Sequence, residues 1–271
     1  MYQDTINVMI QTALRKKRLL EESRFRYLLH AALAGVYVGI GIILIITIGA
    51  PLFAAHSPVY MMAMGASFGI ALTLVIIAGS DLFTGNNMYF TLGTLSGATT
   101  WKDTLRNWIY CWGGNLLGAL TLAMLVFGAG LFRGIGPDHL LFSIAHKKMS
   151  LPYTEIFFRG ILCNWLVCMA IWCSARVKSE SAKLILIWWM LYAFIASGYE
   201  HSVANMTVLS LALILPHPDT ITWAGWFHNM IPATLGNIVG GSLFVACAYW
   251  IISPVSKRRN NLTEEEQRHC E

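Results

Sequence analysis

Charge is what this sequence has least of. Only 12% of its 271 residues are Asp, Glu, Lys or Arg, 56% are hydrophobic, and the mean hydropathy is +0.57. A soluble domain has about 25% charged residues, so this composition excludes an ordinary soluble protein and predicts a polytopic membrane protein. The six cysteines lack metal or redox spacing. Cys163, Cys168 and Cys173 recur every fifth residue, which scatters them around a helix instead of gathering them on one face. They read as packing thiols in a reducing compartment, and no metal or cofactor is expected. A cleavable signal peptide is not expected either, because a basic segment of 26 residues precedes the first apolar run.

What is present in quantity is uninterrupted apolar sequence. Charge-free runs extend from Tyr27 to Ser80, Leu82 to Trp101, Asn107 to Phe132, Gly160 to Ala175, Leu184 to Tyr199 and Thr220 to Ser256. Most reach the roughly 20 residues that cross a bilayer. The few cations are placed unevenly. Lys and Arg crowd the N-terminal segment, the Lys102/Arg106 loop, the Arg176/Lys178/Lys183 loop and the Lys257/Arg258/Arg259 tail, whereas the alternate loops near His56 and 216–226 have none. By the positive-inside rule both termini are cytoplasmic and the crossings are even in number, most simply six. Orientation and anionic headgroups account for the net charge of +5, so nucleic acid is not an expected partner.

The expected organisation has three parts: residues 1–26 as a cytoplasmic amphipathic helix, 27–252 as a six-span domain, and 253–271 as a cytoplasmic tail. Ile6, Met9, Ile10, Ala13 and Leu14 recur at helical spacing before a basic run. That pattern suits either an interfacial anchor or a lid over a pore. Ala31, Gly35 and Gly39 form a small-residue stripe on the first span, which speaks for close helix packing.

Two long apolar segments are interrupted in the middle, at 79–87 and at 197–206, where Asp81, Glu200, His201 and Asn205 fall inside otherwise hydrophobic sequence. Hydrocarbon satisfies neither charges nor freed backbone groups, so such breaks must be paired internally or line a water-filled cavity. The halves also repeat. Gly79-x-Asp81 followed by Asn87-Met88 matches Gly198-x-Glu200 followed by Asn205-Met206 with one residue inserted, and Asn107…Gly114-Asn115…Gly118 matches Asn229…Gly236-Asn237…Gly240. Three crossings per half make the repeat inverted, with repeat one over about 27–131 and repeat two over about 155–252. The expected fold is thus an all-α membrane protein of six transmembrane helices in two inverted three-helix repeats, the second and fifth helices being broken.

The two breaks resemble the signature loops of the formate/nitrite transporter family. The likeness rests on Ser80-Asp81-Leu82-Phe83-Thr84 and on the segment from Ala196 to Met206, and it extends through Gly160 to Asn164 and Pro232 to Gly241. It is nearest to the nitrite channels of enteric bacteria. The resemblance implies an aquaporin-like fold, a homopentamer with one pore per subunit in a bacterial inner membrane, and passage of a small monovalent anion, with or without a proton. It also implies site residues. His201 and Thr84 would be the central polar pair, and Phe68, Leu72, Val167 and Phe194 would form apolar constrictions. Lys148 and Asn164 would attract anions, while Glu200 would support the broken helix. Gly85-Asn86-Asn87 stands where formate members carry small hydroxyl residues, which leans the substrate toward nitrite, with a formate or hydrosulfide channel of the same family as the alternative.

Blander readings stand beside these. Taken alone, His201 also suits a satisfied core histidine or a metal or haem ligand, but haem ligation needs a second, opposed histidine within the membrane, and His30 and His228, the other histidines near spans, lie toward span ends. Asp81 and Glu200 suit backbone-bracing acids, and Lys148 suits either a solvated loop charge or a field at the pore mouth. A bare anion at an apolar constriction faces a large desolvation cost. Protonating it from imidazolium crosses roughly 3 pKa units, an uphill step of about 4 kcal/mol in water that burial narrows. Conduction is therefore expected to depend on the polarity and protonation of His201. Two rival classes fit less well: a neutral-solute channel, whose Asn-Pro-Ala loops are missing, and a membrane enzyme or haem subunit, for which ligand pairs and nucleophile motifs are missing.

Overall fold

The computed structural model describes residues 2–253, and the regular elements within them are all helices. The basic tail with Lys257, Arg258 and Arg259 lies outside the described residues. Helix α1 is Gln3–Glu22, α2 is Arg24–Ala54, α3 is Tyr60–Gly79, α4 is Phe83–Leu95 and α5 is Trp101–Gly128. The second half repeats that order with α6 at Leu140–Ser150, α7 at Tyr153–Arg176, α8 at Glu180–Ala196, α9 at Ser202–Ile214 and α10 at Trp223–Ile251. Helices α2, α3, α5, α7 and α10 are each long and apolar enough to cross a bilayer. The shorter α4 continues the crossing begun by α3, and α8 with α9 makes the remaining one, giving six crossings in two halves.

Backbone closeness is built into the sequence of each half. A Cβ on Gly118 of α5 would lie 1.8 Å from the Ala32 carbonyl oxygen of α2, and one on Gly240 of α10 would lie 2.4 Å from that of Ile161 on α7. Glycine is therefore required where these helix pairs cross, because neither backbone can retreat from a methyl group at that distance. The breaks use glycine for a different reason. Gly79 and Gly198 have φ of +81° and +68°, the left-handed conformation that L side chains avoid. Each closes its helix with the amide two positions into the turn bonded back to a carbonyl five residues earlier, Ser80 to Val75 at 3.0 Å and Tyr199 to Phe194 at 3.1 Å.

Four sequence expectations change here. The third crossing begins at Trp101 instead of near Asn107, because Thr100 and Asp103 cap it reciprocally: the Asp103 amide donates to Thr100 Oγ1 at 3.1 Å and the Thr100 amide to Asp103 Oδ2 at 3.0 Å. Lys102 and Arg106 thus stand in its first turns and not in a loop. Likewise Lys147 and Lys148 belong to helix α6 and Arg159 to α7. The register of the repeat also shifts. Asn86, five residues after Asp81, is the counterpart of Asn205, five after Glu200, so no residue is inserted. The shared Asn-Met dipeptide is not the structural correspondence, since it is the first helical turn after the break that returns an amide to the carboxylate. Finally, the apolar face of α1 (Ile6, Met9, Ile10, Ala13) is buried on the bundle itself, chiefly against α4, and does not lie free for headgroups.

Candidate functional site

Both breaks are held by the same construction. At the first, Asn115 on α5 accepts the Phe83 amide at 2.9 Å and donates to the carbonyls of Asp81 and Ala31, each at 2.8 Å. At the second, Asn237 on α10 accepts the Ser202 amide at 2.8 Å and donates to the carbonyls of Glu200 at 2.9 Å and Gly160 at 2.8 Å. These side chains replace the helical bonds that the breaks remove, which the membrane interior requires.

The two acids are anchored in parallel as well. Asp81 is fully buried; it is bonded to Lys16 of α1, lies 3.3 Å from His30 Nδ1, and accepts from Asn86 at 2.9 Å. Glu200 accepts from Lys148 of α6 at 2.9 Å, from Asn205 at 2.6 Å and from Asn229 at 3.1 Å. In each half a lysine on a short flanking helix neutralises the break's carboxylate. The correspondence of the repeats therefore reaches outward to α1 and α6. Lys148 is 18% exposed and ion-paired, so it is not a freely solvated charge.

Three cavities lie in a row through the subunit. The one beside α6 has a volume of about 130 Å³ and is lined by Lys147, Lys148, Arg159 and Glu200 as well as apolar side chains. The one beside α1 has about 480 Å³, with Arg15, Lys16, His30 and Asp81 on its walls. Between them is a space of about 10 Å³ bounded by Val38, Phe68, Ala71, Leu72, Leu82, Val167, Leu191, Phe194 and His201. That is the lower limit for a single water. Phe194 and His201 also line the α6-side cavity and Leu82 the α1-side cavity, so these residues stand at the two ends of the constriction.

Phe68, Leu72, Val167 and Phe194 are thus brought together around one narrow space. Phe68 and Phe194 meet edge to face with centroids 5.5 Å apart, and Phe194 stacks on His201 at 5.8 Å. His201 is held at both ring nitrogens. Its Nδ1 accepts the Ala204 amide at 3.1 Å, capping α9, and its Nε2 lies 3.2 Å from Thr84 Oγ1. A ring that accepts at Nδ1 has its proton on Nε2, from which it donates to Thr84. Asn164, by contrast, is not on these cavity walls. Its amide braces the Thr84 carbonyl at 3.1 Å, Asn87 Oδ1 at 3.0 Å and the Asn237 carbonyl at 2.6 Å. Asn205 does line the α6-side cavity, and it is engaged inside the acid's network, donating to Glu200 and, at 2.7 Å, to Asn229.

The profile of the formate/nitrite transporter family matches residues 3–251. The chain belongs to this family. It is 45% identical over 263 residues to the nitrite transporter NirC of Salmonella typhimurium, covering 95% of this chain and 94% of that one. Among solved structures it is similar to an FNT family ion channel with a TM-score of 0.89, 45% identity and coverage of 93% and 100% of the two chains. It is also similar to a pentameric formate channel with formate bound, with a TM-score of 0.73, 26% identity and coverage of 86% and 98%. As a formate/nitrite family member it is a membrane transporter of small anions and not an enzyme.

Sequence reasoning missed Leu82 as a wall residue, although a signal was available. Leu82 follows Asp81 as His201 follows Glu200, so the family's inverted repeat places an apolar residue at one break where it places the imidazole at the other. Lys16 was missed too, because a lysine in a basic run 65 residues away has no mark that singles it out for Asp81.

Proposed function

We propose that this protein conducts nitrite through a pore in each subunit; the alternative reading is a formate or hydrosulfide channel of the same family. The observation that carries this reading is the closed apolar constriction with one polar side chain on its wall, His201, whose Nε2 meets Thr84, between two cation-lined cavities. Cations at both mouths raise the local anion concentration. Helices α4 and α9 both begin at the breaks, so the positive ends of their dipoles point toward the constriction from both halves. The α1 side is assigned to the cytoplasm of a bacterial inner membrane from the placement of basic residues, and the subunits assemble as a pentamer like the related formate channel.

The cap geometry favours His201 as a neutral donor over a proton donor. With Nε2 already carrying hydrogen, an imidazolium needs a second proton on Nδ1, where the Ala204 amide now donates. That removes a helix cap, costing about 1 kcal/mol, and sets a cation against a helix N-terminus, about 0.5–1 kcal/mol more. Both costs fall on forming the imidazolium, so the neutral ring protonated at Nε2 is the dominant form at the constriction. Turning the Nε2–H from Thr84 to a passing anion exchanges one hydrogen bond for another at little cost. The test is uptake into proteoliposomes of nitrite, formate and hydrosulfide in competition across pH. Nitrite uptake that formate does not inhibit, with internal pH unchanged, supports the reading. Absence of nitrite flux, or strict stoichiometric proton uptake, overturns it.

A further inference from the structure

The inverted repeat can be read residue by residue along α2 and α7. Asn115 donates to the Ala31 carbonyl as Asn237 does to that of Gly160, and Gly118 packs on the Ala32 carbonyl as Gly240 does on that of Ile161. One position earlier, the His30 carbonyl accepts the Asp81 amide at 3.2 Å and the Arg159 carbonyl accepts the Glu200 amide at 3.3 Å. These consecutive matches make His30 the counterpart of Arg159. Both stand on a cavity wall, His30 on the α1 side of the constriction and Arg159 on the α6 side. The repeat thus puts a guanidinium at one mouth and an imidazole at the other.

The two groups hold charge differently. A guanidinium is charged at every physiological pH, whereas imidazole is the side chain that changes charge between about pH 5 and 8. On the α6-side wall Lys147, Lys148 and Arg159 face one acid, Glu200. On the α1-side wall Arg15 and Lys16 of α1 face one acid, Asp81 of the break, and the other titratable groups are the Tyr89 phenol of α4 and His30 itself. A phenol stays neutral over that range, so a proton on His30 is what makes the two mouths equal in charge. The hydrogen bonding leaves room for it. The lysine-paired Asp81 carboxylate can only accept, so His30 Nδ1, 3.3 Å from Oδ2, carries the hydrogen and Nε2 keeps the lone pair. Nε2 has no hydrogen-bond partner among the described residues, and the side chain is 38% exposed. Protonation there breaks no hydrogen bond, unlike protonation of His201, and adds a charged N–H to the wall. We infer that His30 makes the affinity of the α1-side mouth for the transported anion follow the pH on that side, while Arg159 holds the α6-side mouth constant.

The inference rests on the two cavities being the ends of the anion path. Permeability to trace anion is equal in both directions by microscopic reversibility, so the effect is read in the concentration that half-saturates uptake from each side. Right-side-out and inverted membrane vesicles present the two mouths in turn, and the population in which added trypsin reaches the basic N-terminal segment presents the α1 side. Nitrite and formate are both used as probes, because the charge acts alike on any small anion and the response is readable whichever one the protein conducts. From the α1 side the half-saturating concentration should fall by roughly tenfold between about pH 8 and pH 5.5, and from the α6 side it should stay constant. His30→Gln should hold the α1-side value high at every pH, and His30→Arg should hold it low at every pH, opposite effects that a merely damaged fold does not produce. An α1-side value that does not change with pH in the unaltered protein overturns the inference, as does a fall that persists in His30→Gln. Greater tryptic release of α1 at the acid end also overturns it, since movement of that helix then accounts for the change.

Discussion

Replacing His201 by asparagine and by alanine separates its two jobs. The imidazole caps α9 through Nδ1 and reaches Thr84 through Nε2. Asparagine is among the best N-cap residues, so its Oδ1 keeps the Ala204 amide bonded, but its amide is too short to restore the Nε2 contact. Alanine keeps neither. A lost cap costs about 1 kcal/mol and a lost neutral hydrogen bond about 1 kcal/mol. His201→Ala should therefore be less stable by about 2 kcal/mol and His201→Asn by about 1 kcal/mol. Transport should respond differently. A hydrogen bond to a charged group is worth about 1.5–3 kcal/mol, and its removal at the constriction slows passage by roughly ten- to hundredfold in both variants. Thermal unfolding in detergent and anion uptake into proteoliposomes, measured on the same preparations, read the two effects. Uptake by His201→Asn at the unaltered rate would refute the assignment of Nε2–H as the donor that the anion meets.

Other outcomes follow from the same contacts. Lys16→Ala leaves the Asp81 carboxylate buried without its lysine, so it should destabilise by about 3–5 kcal/mol, whereas Lys17→Ala, which breaks a partly exposed pair with Asp103, should stay within about 1 kcal/mol. Chemical unfolding of the two variants compares them directly, and equal losses would count against the anchoring role of Lys16. Gly118→Ala places a methyl group 1.8 Å from the Ala32 carbonyl oxygen and should abolish accumulation of folded protein, while Gly113→Ala on the same helix meets nothing within 4 Å and should be neutral or stabilising by up to about 1 kcal/mol. Expression followed by size-exclusion chromatography distinguishes them. Lys17 titrates above its ordinary value because Asp103 bonds its protonated form. Its contribution to docking α1 is accordingly complete below its unfolded-state pKa and disappears only as pH rises through the folded one, so proteolytic release of α1 should be constant across neutral pH and rise only in strong alkali.

Much of the architecture was legible because membranes restrict what a sequence can do. A charge-free run of span length has one reading, and an acid inside it forces a break or a pairing, so the broken crossings at Asp81 and Glu200 could be placed without coordinates. The asparagines at 107, 115, 229 and 237 showed as a repeat, but the use of Asn115 and Asn237 as clamps on the backbone of the breaks, and the bonds of Asn107 to the Tyr27 hydroxyl and of Asn229 to the Glu200 carboxylate, did not, because the atoms they bind lie on other elements. Asn87 and Asn86 were confused for the same reason: adjacent amides look alike in sequence and differ only in which way a helical turn points them.

The sequence by itself determined the class, the number of crossings, the inverted repeat and the imidazole at the second break. These depend on local composition and period, which hydrocarbon reads directly. Only the tertiary structure decided which lysine meets which acid, that Leu82 stands where the repeat would put a second histidine, and that the His201 ring accepts at one nitrogen and donates at the other. Those facts depend on distances between residues far apart in the chain, and it is the packing of the two halves against each other that fixes them.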